Sequence, residues 1–179
     1  LEVVVAGGGN AALCAAITAR EKGAAVTLFE SAPENMRGGN TRHTRNLRAS
    51  HAEPLETLED SYTEDEFWDD ILKVTHGNTD ETLTRLMIRQ SPLLLSWLKA
   101  RDVHFQPALS GTLSLHRTNA FFLGGGKTLL NKLYSHAEKI GVSVIYDSEV
   151  TSVSISNNRA HSIGVTTATD TKTYGIKHL

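Results

Sequence analysis

The feature that most constrains the fold of this chain is a glycine turn near its start. The turn, Gly7-Gly8-Gly9, joins the apolar run Val3–Ala6 to a run of helix-forming residues over 11–21. A second apolar run, Ala25–Phe29, follows at once and ends on Glu30. An apolar run, a helical pattern and another apolar run indicate the first βαβ unit of a parallel sheet. We therefore predict a strand, a helix and a strand at about residues 2–6, 10–22 and 25–30.

The same turn has the spacing of a dinucleotide-binding fingerprint, with Ala12 in the third glycine position. Gly7 permits a backbone angle that other residues resist, and Gly9 leaves room for a pyrophosphate. The helix N-terminus offers N–H groups and a positive dipole end. Glu30 is placed to accept hydrogen bonds from ribose hydroxyls and to repel the extra phosphate of an NADP-type ligand. The alternative is a turn that binds nothing, and the turn alone does not distinguish NAD from FAD.

Composition excludes several classes of protein. The chain has 179 residues, 40% of them hydrophobic, which is enough for one globular domain with a core. A net charge of −2 creates no general attraction to nucleic acid, so we expect no such partner. Cys14 is the only cysteine, which excludes an internal disulfide, and we expect it to be a small core residue. The eight histidines lack zinc-site spacing, so we predict no metal site.

Location is inferred from apolar runs and from the chain start. No apolar run has the length of a membrane span, so we expect no direct membrane insertion. The chain begins on a strand and without Met, so we expect a few preceding residues, no signal peptide and a cytoplasmic protein. Peripheral contact with a membrane redox partner stays open. Residues 172–179 read as the start of a strand that lacks its second half.

The middle of the chain is predicted to contain a loop and two helices. Residues 31–51 read as a loop, and residues 56–70, which carry eight acids, read as a helix with a solvated face. Asn78 and Glu81 have the spacing of a capping box at the start of the next helix. Ser91-Pro92 suits a restart or a kink of that helix.

The second half is predicted to mix short strands with one helix. The triple glycine at 124–126 should form a tight turn into that helix, at about 127–140, with Leu129, Leu130, Leu133 and Ala137 facing inward. Asn157-Asn158 should form a turn. The predicted strands are residues 103–105, 113–115, 121–122, 142–146, 150–155 and 163–167.

The segment Arg37–Arg48 is the second dense feature. Arginine is the preferred partner of carboxylates and phosphates. Four arginines lie in this segment: Arg37, Arg42, Arg45 and Arg48. Successive amides at Gly38, Gly39 and Asn40 could form an anion-binding concavity. The segment leaves the carboxyl end of the second strand, where ligands of such sheets bind, so we expect contact with cofactor phosphates or an anionic substrate. An exposed basic loop is the alternative.

Three segments carry a family resemblance: Gly7–Ala16, Arg37–Asn46 and Arg117–Gly126. Together they resemble the FAD-dependent tricarballylate dehydrogenases of the fumarate reductase and succinate dehydrogenase flavoprotein superfamily. The flavoprotein part of some bacterial precorrin-3B synthases is similar. The resemblance covers nearly the whole chain. It implies an α/β, Rossmann-like FAD/NAD(P)-binding three-layer fold that is incomplete here. Residues 1–179 would be the N-terminal part of the FAD domain, with its remainder and a capping domain beyond residue 179.

The resemblance also implies FAD as cofactor and names the residues that would bind it. The glycine turn would hold the pyrophosphate, Glu30 the ribose, and the backbone of Val150 the adenine. In succinate dehydrogenases a histidine before a threonine carries covalent flavin, but the residues around His43-Thr44 differ, so we expect non-covalent FAD. The predicted cofactor-binding residues are Gly7, Gly9, Asn10, Ala11, Ala12, Glu30, Ser31, Gly38, Gly39, Asn40, Thr41 and Val150.

The implied activity is oxidation of a polycarboxylate, tricarballylate to cis-aconitate, by hydride transfer to flavin, with electrons leaving through a separate redox partner. Most catalytic groups would lie beyond residue 179, so this chain would be inactive alone. The local catalytic candidates are Arg42, His43 and Arg45. Two alternatives stay open: an FAD-binding module without redox activity, and a ketosteroid dehydrogenase or fumarate reductase relative. The four arginines favour an anionic substrate over a sterol.

Overall fold

The computed structural model describes residues 2–108 and 115–177. The chain divides into two compact units, one formed by Leu1–His43 with Leu130–Leu179 and the other by Thr44–Leu129. The strands are β1 (Val3–Ala6), β2 (Val26–Phe29), β3 (Asn46–Arg48), β4 (Asn119–Phe121), β5 (Ser143–Ile145), β6 (Glu149–Ser156), β7 (Arg159–Thr166) and β8 (Thr171–Gly175). The α-helices are α1 (Asn10–Glu21), α2 (Glu64–Thr75), α3 (Glu81–Lys99) and α4 (Gly125–Lys139).

The first unit contains the predicted βαβ arrangement. β1 pairs in parallel with β2, and β2 pairs in parallel with β5, so the strand order is β1-β2-β5. α1 is the crossover between β1 and β2, and it buries Leu13, Ala16 and Ile17 completely. The carboxyl ends of parallel strands meet at one edge of a sheet. The glycine turn after β1 and Glu30 after β2 therefore lie at the same edge.

The prediction that Cys14 is a small core residue is wrong. The residue is only half-buried and is not in the core, and its Sγ lies 3.9 Å from Asn10 Oδ1. Leu13, Ala16 and Ile17, at positions i, i+3 and i+4, already fill the buried face of α1, and Cys14 falls beside that face.

An antiparallel sheet, β6-β7-β8, completes the first unit. Asn157 and Asn158 connect β6 to β7 with φ values of 48° and 58°, so the predicted turn is confirmed as a two-residue hairpin with both residues left-handed. The strand expected over 172–179 is β8, which pairs antiparallel with β7, and residues 178–179 lie outside the described part. Ile163 and Val165 of β7 pack with Phe29 into a core cluster.

The second unit contains a strand, β3, in a segment that the sequence predicts to be a loop. β3 pairs antiparallel with β4, with Leu47 opposite Ala120. The partner strand is far away in the sequence, and a three-residue strand has too few residues for a visible alternation. Within the same predicted loop, the segments Glu34–Met36 and Gly39–His43 form 3₁₀ turns.

The acidic helix begins later than predicted. α2 starts at Glu64, because Thr63 and Glu66 form a reciprocal capping box there. The Glu66 N–H donates to Thr63 Oγ1 at 3.2 Å, and the Thr63 N–H donates to Glu66 Oε2 at 3.1 Å. Residues 56–63 form turns and isolated bridges instead of helix, while Phe67 on α2 is buried.

The start of α3 was also predicted wrongly. Asp80 is the N-cap residue, and its Oδ1 accepts from the Leu83 N–H at 2.8 Å. Glu81 is the first helical residue and not the third, so it cannot complete a capping box with Asn78. Of the two alternatives at Ser91-Pro92, a restart is wrong, because the helix runs on from Glu81 to Lys99.

A buried hydroxyl network lets α3 accommodate Pro92. Proline has no N–H, so the carbonyl of Ile88 loses its usual helical donor. The Ser91 hydroxyl donates to that carbonyl at 2.7 Å, and the Ser50 hydroxyl donates to it at 3.2 Å. Ser91 Oγ also accepts from the Ser50 N–H at 2.9 Å. These groups are buried, so the network satisfies polar atoms that water cannot reach.

The segment before α4 has less strand than predicted. Phe105 forms a single bridge with Phe122, Leu115 begins a 3₁₀ turn, and residues 113–114 lie outside the described part. The triple glycine does form the predicted turn, with φ values of 87° at Gly124 and 69° at Gly125. α4 begins two residues earlier than predicted. Its predicted inward side chains are all buried: Leu129, Leu130, Leu133 and Ala137.

Two kinds of feature are absent from residues 2–108 and 115–177. No helix there combines the length and the apolar character that crossing a bilayer requires. No cluster of three or more His, Cys, Asp or Glu side chains there could hold a metal ion.

The hydroxyl network predicts an unequal effect of two serine substitutions in α3. Ser91→Ala removes the acceptor of a buried N–H, and we expect a loss of about 1–3 kcal/mol in the free energy of unfolding. Ser96→Ala is the matched control, because Ser96 makes the same kind of bond, to the Leu93 carbonyl at 3.0 Å, but is exposed. Its expected effect is within about 0.5 kcal/mol. Equilibrium unfolding in urea measures both, and equal losses would contradict the proposed role of Ser91.

The environment of the Tyr62 hydroxyl leads us to expect that the stability of the second unit depends on pH. This buried hydroxyl donates to Asp70 Oδ2 at 2.9 Å and accepts from Arg48 at 3.1 Å. Burial, followed by the hydrogen bond to Asp70, raises the pKa of Tyr62 to about 12. An unfolded tyrosine has a pKa of about 10. The folded state therefore favours the neutral phenol, and its contribution to stability is present below about pH 10 and disappears as pH rises towards 12.

We expect Tyr62→Phe to reduce the loss of stability between about pH 10 and 12. Urea unfolding at several pH values measures this loss, and absorbance of the phenolate follows the titration. Tyr174→Phe, in the first unit, is the control and should leave the loss unchanged. An identical pH profile for Tyr62→Phe and the unaltered protein would show that another group is responsible.

Candidate cofactor site

The candidate site begins where the chain leaves β1. The Gly7 N–H donates to the Phe29 carbonyl at 2.7 Å, which ties the glycine turn to the end of β2. Gly7 has a φ of +93°, in the left-handed region that glycine adopts without strain, as the fingerprint predicted. The turn then enters α1 with Gly9 as the N-cap residue.

Nothing within the described protein requires glycine at position 9. Its φ of −76° and ψ of −177° are angles that any residue adopts. A Cβ built on Gly9 would lie 3.7 Å from Thr41 Oγ1 and 3.8 Å from the Gly38 carbonyl oxygen, which are ordinary contacts. Neither backbone strain nor internal crowding therefore demands glycine here. The space above its Cα is available to a ligand that approaches the backbone, which fits a pyrophosphate.

The N-terminus of α1 supplies donors beside this space. Gly9 has no side chain with which to cap the helix, and the Asn10 N–H donates to Thr41 Oγ1 at 3.1 Å. Ala11 and Ala12 lie in the first turn, where helical N–H groups have no carbonyl partner and the helix dipole is positive. The structure therefore brings Thr41 next to the predicted pyrophosphate residues, at a helix start of the kind that favours anions.

Glu30 lies at the end of β2 and is 5% exposed. Its Oε1 accepts from the Ala32 N–H at 2.9 Å and from the Ser31 hydroxyl at 3.3 Å. Its Oε2 faces the Gly38 N–H at 3.5 Å. A carboxylate has about four acceptor positions, so these contacts leave capacity for ribose hydroxyls. Glu30 thus organises the turn that follows β2, a role that its sequence position did not indicate.

The three-amide concavity predicted at Gly38, Gly39 and Asn40 is only partly present. The N–H of Gly38 already faces Glu30, so Gly39 and Asn40 are left to meet an external anion. Gly38 is buried with a φ of 101°, and the side chain of Leu130 occupies the place where its Cβ would be. Gly39 has a φ of 51°, and no described atom beyond its chain neighbours lies within 4 Å of the position that a Cβ would take, which keeps this side of the turn open.

The four arginines of the basic segment have different environments. Arg37 is held by internal partners in the first unit, and Arg48 binds Asp70 at 3.0 Å in the second unit. Arg42 donates to the Asn35 carbonyl at 3.2 Å, while His43 and Arg45 are exposed. Arg42 and His43 belong to the first unit and Arg45 to the second. The structure therefore makes Arg37 and Arg48 structural residues, which the count of arginines could not distinguish.

Val150 lies in β6, opposite Val165 of β7. The strand starts beside the end of β2, because the Ser148 N–H donates to the Glu30 carbonyl at 3.0 Å. The predicted adenine residue and the predicted ribose residue are therefore linked through Ser148.

Tyr134 is a residue of the site that the sequence analysis missed. Its hydroxyl donates to the Gly8 carbonyl at 2.8 Å, and the guanidinium of Arg37 lies 4.1 Å from its ring centroid. Arg37 also donates to the Tyr146 hydroxyl at 2.5 Å. Burial raises the pKa of Tyr134 and of Tyr146, so both remain neutral donors near neutral pH. The helical period that includes Leu130 and Leu133 could have indicated burial of Tyr134, but not its partner.

Comparison with curated proteins finds a relative that is an oxidoreductase. The chain is 29% identical over 168 residues to NADH:fumarate oxidoreductase of Klebsiella pneumoniae (strain 342). The match covers 90% of this chain and 18% of that protein. The chain therefore spans about a fifth of the relative's length.

Solved structures share the fold across nearly the whole chain. A 3-ketosteroid-Δ4-(5α)-dehydrogenase from Rhodococcus jostii RHA1 has a TM-score of 0.82 at 20% identity, covering 98% of this chain and 44% of that one. A flavocytochrome c3 fumarate reductase in an open conformation has a TM-score of 0.81 at 22% identity, covering 98% and 32%. At these identities the likeness establishes the fold, an α/β Rossmann-like FAD-binding architecture.

The family assignment comes from the match to a sequence model. The model described as FAD binding domain matches residues 2–177. That range includes the glycine turn, the open Gly9 and the buried Glu30. The chain belongs to this FAD binding domain family, and its cofactor is FAD.

Proposed function

We propose that residues 1–179 are the N-terminal FAD-binding portion of a dehydrogenase that oxidises a polycarboxylate, with tricarballylate converted to cis-aconitate. The observation that carries the FAD-binding part is the open space at Gly9, beside the N-terminus of α1. The polycarboxylate rests on the resemblance of three segments to tricarballylate dehydrogenases and on the basic segment that follows β2.

The proposed cofactor residues divide by their chemistry. The N–H groups of Ala11 and Ala12 would bind the pyrophosphate, and Gly7 and Gly9 would let it approach. The carboxylate of Glu30 accepts from the ribose, next to Ser31. The remaining proposed contacts are Asn10, Gly38, Gly39, Asn40, Thr41 and Val150.

The bound flavin supplies a hydride acceptor, and the protein supplies position and charge. Arg42 is the first candidate to bind a substrate carboxylate, because it is half-buried and its guanidinium donates to a neutral carbonyl, that of Asn35, and to Met36 Sδ instead of to a carboxylate. His43 and Arg45 are the other candidates. The groups that complete catalysis are proposed to lie beyond residue 179, in the capping domain and the rest of the FAD domain, so the 179-residue chain alone is inactive.

The proposed partners follow from the reaction. Electrons removed from the substrate leave through a separate redox protein, in a cytoplasmic enzyme that binds FAD without a covalent bond.

A second candidate function is fumarate reduction. It is favoured by the 29% identity to an NADH:fumarate oxidoreductase, whose substrate is also a carboxylate. Both candidates require a cationic substrate site. A steroid substrate, as for the similar Rhodococcus enzyme, would not need one.

The space at Gly9 gives the first test. Gly9→Val places a side chain where the pyrophosphate is proposed to lie, and we expect FAD affinity to fall by at least about 100-fold. Far-UV circular dichroism should be unchanged, because a Cβ at position 9 makes only ordinary contacts within the protein. Gly175→Ala is the control, since a Cβ at Gly175 would have no described atom beyond its chain neighbours within 4 Å and the residue lies on β8, away from the glycine turn in the sequence. Flavin fluorescence titration measures affinity, and tight FAD binding by Gly9→Val would refute the placement.

The substrate is tested with the full-length enzyme. We expect steady-state oxidation of tricarballylate with an artificial electron acceptor, and Arg42→Ala should raise its KM by about tenfold or more through loss of a charge-assisted hydrogen bond. Arg159→Ala, an exposed arginine at the start of β7, should leave KM unchanged. Activity on fumarate without activity on tricarballylate would favour the second candidate. Activity on a steroid alone would exclude both.

A further inference from the structure

Position 8, the middle of the glycine turn, requires glycine because side chains crowd it, and not because of its backbone angles or an approaching ligand. Its φ is not in the left-handed region, so its backbone does not demand glycine. The residue is buried, and a Cβ built on it would collide with the Tyr134 hydroxyl and with Glu30 Oε2. In the general fingerprint this position is unspecified. In this chain, the side chains packed against position 8 exclude anything larger than glycine.

Tyr134 holds the turn as well as crowding it. Its side chain is completely buried, and its hydroxyl donates to the Gly8 carbonyl at 2.8 Å across 126 residues of sequence. The carbonyl of Gly8 thus has a hydrogen-bond donor that does not belong to the N-terminus of α1. The N–H groups of α1 keep their direction towards the proposed phosphate position.

Arg37 fixes the ring of Tyr134 from its face. The guanidinium lies 4.1 Å from the ring centroid and is 15% exposed. The Tyr146 hydroxyl accepts a hydrogen bond from Arg37. The carboxylate oxygens of Glu34 and Glu138 lie 3.4 Å and 3.8 Å from the same guanidinium nitrogen of Arg37. Tyr134 therefore has little freedom to move away from Gly8.

We propose that Tyr134 is a positioning residue of the FAD site, which sets the glycine turn in its phosphate-binding conformation before the cofactor binds. A turn that is already ordered loses less conformational freedom on binding, so the cofactor binds more tightly. The inference rests on the proposed location of the FAD pyrophosphate at the glycine turn. It adds a residue from α4, together with Arg37, to a site that the fingerprint places on β1, α1 and β2.

The first test is Tyr134→Phe in the full-length protein. The change removes the hydroxyl and leaves the Gly8 carbonyl without its donor, and we expect FAD affinity to fall by about tenfold. Tyr146→Phe is the matched control, because Tyr146 contacts Arg37 but not Gly8. Its affinity should stay within about twofold. Equal effects of the two variants, or none from Tyr134→Phe, would overturn the inference.

The second test separates positioning from general stability. Gly8→Ala should weaken FAD binding strongly in the unaltered protein, because its methyl group meets the Tyr134 hydroxyl. In the Tyr134→Phe background the nearest atom of that ring is Cζ, at 3.2 Å, so the same change should cost at least about threefold less in affinity. Glu30 is present in both backgrounds, so its contact with the new methyl group contributes equally to both affinity changes and does not affect their difference. Strictly additive effects on affinity would overturn the inference.

Two further variants keep the tests interpretable. If Tyr134→Phe does not fold, Gly8→Ala alone should lose FAD while its circular dichroism is retained, and wild-type affinity would overturn the inference. Gly9→Val distinguishes the two proposals. If it binds FAD normally, the location of the pyrophosphate is wrong. If it loses FAD while Tyr134→Phe does not, only the role of Tyr134 is wrong.

Discussion

The geometry of the cofactor site depends on one buried carboxylate, that of Glu30. A carboxylate removed from water is costly unless hydrogen bonds satisfy it. The N–H groups of Ala32 and Gly38 supply those bonds, so the chain after β2 must turn back towards the glycine turn. The Glu30 carbonyl accepts from the Ser148 N–H, which starts β6 at the same place. The residue that the fingerprint assigns to a ribose thus also determines how the surrounding chain is folded.

The part of the fold that could be predicted from sequence is the part encoded locally. The apolar runs, the glycine turn and the helical pattern predicted β1, α1 and β2 because each signal lies within a few residues of the structure it specifies. The positive φ of Gly7 and the hairpin at Asn157-Asn158 were predictable for the same reason. Superfamily and cofactor followed from longer motifs by resemblance, and the comparisons support them, whereas the individual cofactor contacts stay predictions.

The parts that were missed depend on partners distant in sequence or on competition between neighbours. β3 exists because β4 lies opposite it. At the start of α3, Asn78 and Asp80 both have capping side chains, and the structure uses Asp80. Arg37 and Arg48 lie in the same arginine-rich segment as Arg42. In the structure, however, Arg37 stacks on Tyr134 and Arg48 binds Asp70. No local pattern distinguishes a cation that serves the fold from one that is available to a ligand.

The contact between Tyr134 and Gly8 also has a consequence for the order of events during synthesis. β1, α1 and β2 leave the ribosome before α4, and the hydroxyl that bonds to their glycine turn follows 126 residues after Gly8. At translation rates of about 5–20 residues per second, this delay is on the order of ten seconds. A nascent chain therefore displays the complete nucleotide fingerprint well before the fingerprint is held in shape. If Tyr134 has the positioning role proposed above, tight cofactor binding would require the emergence of α4 as well as that of the motif.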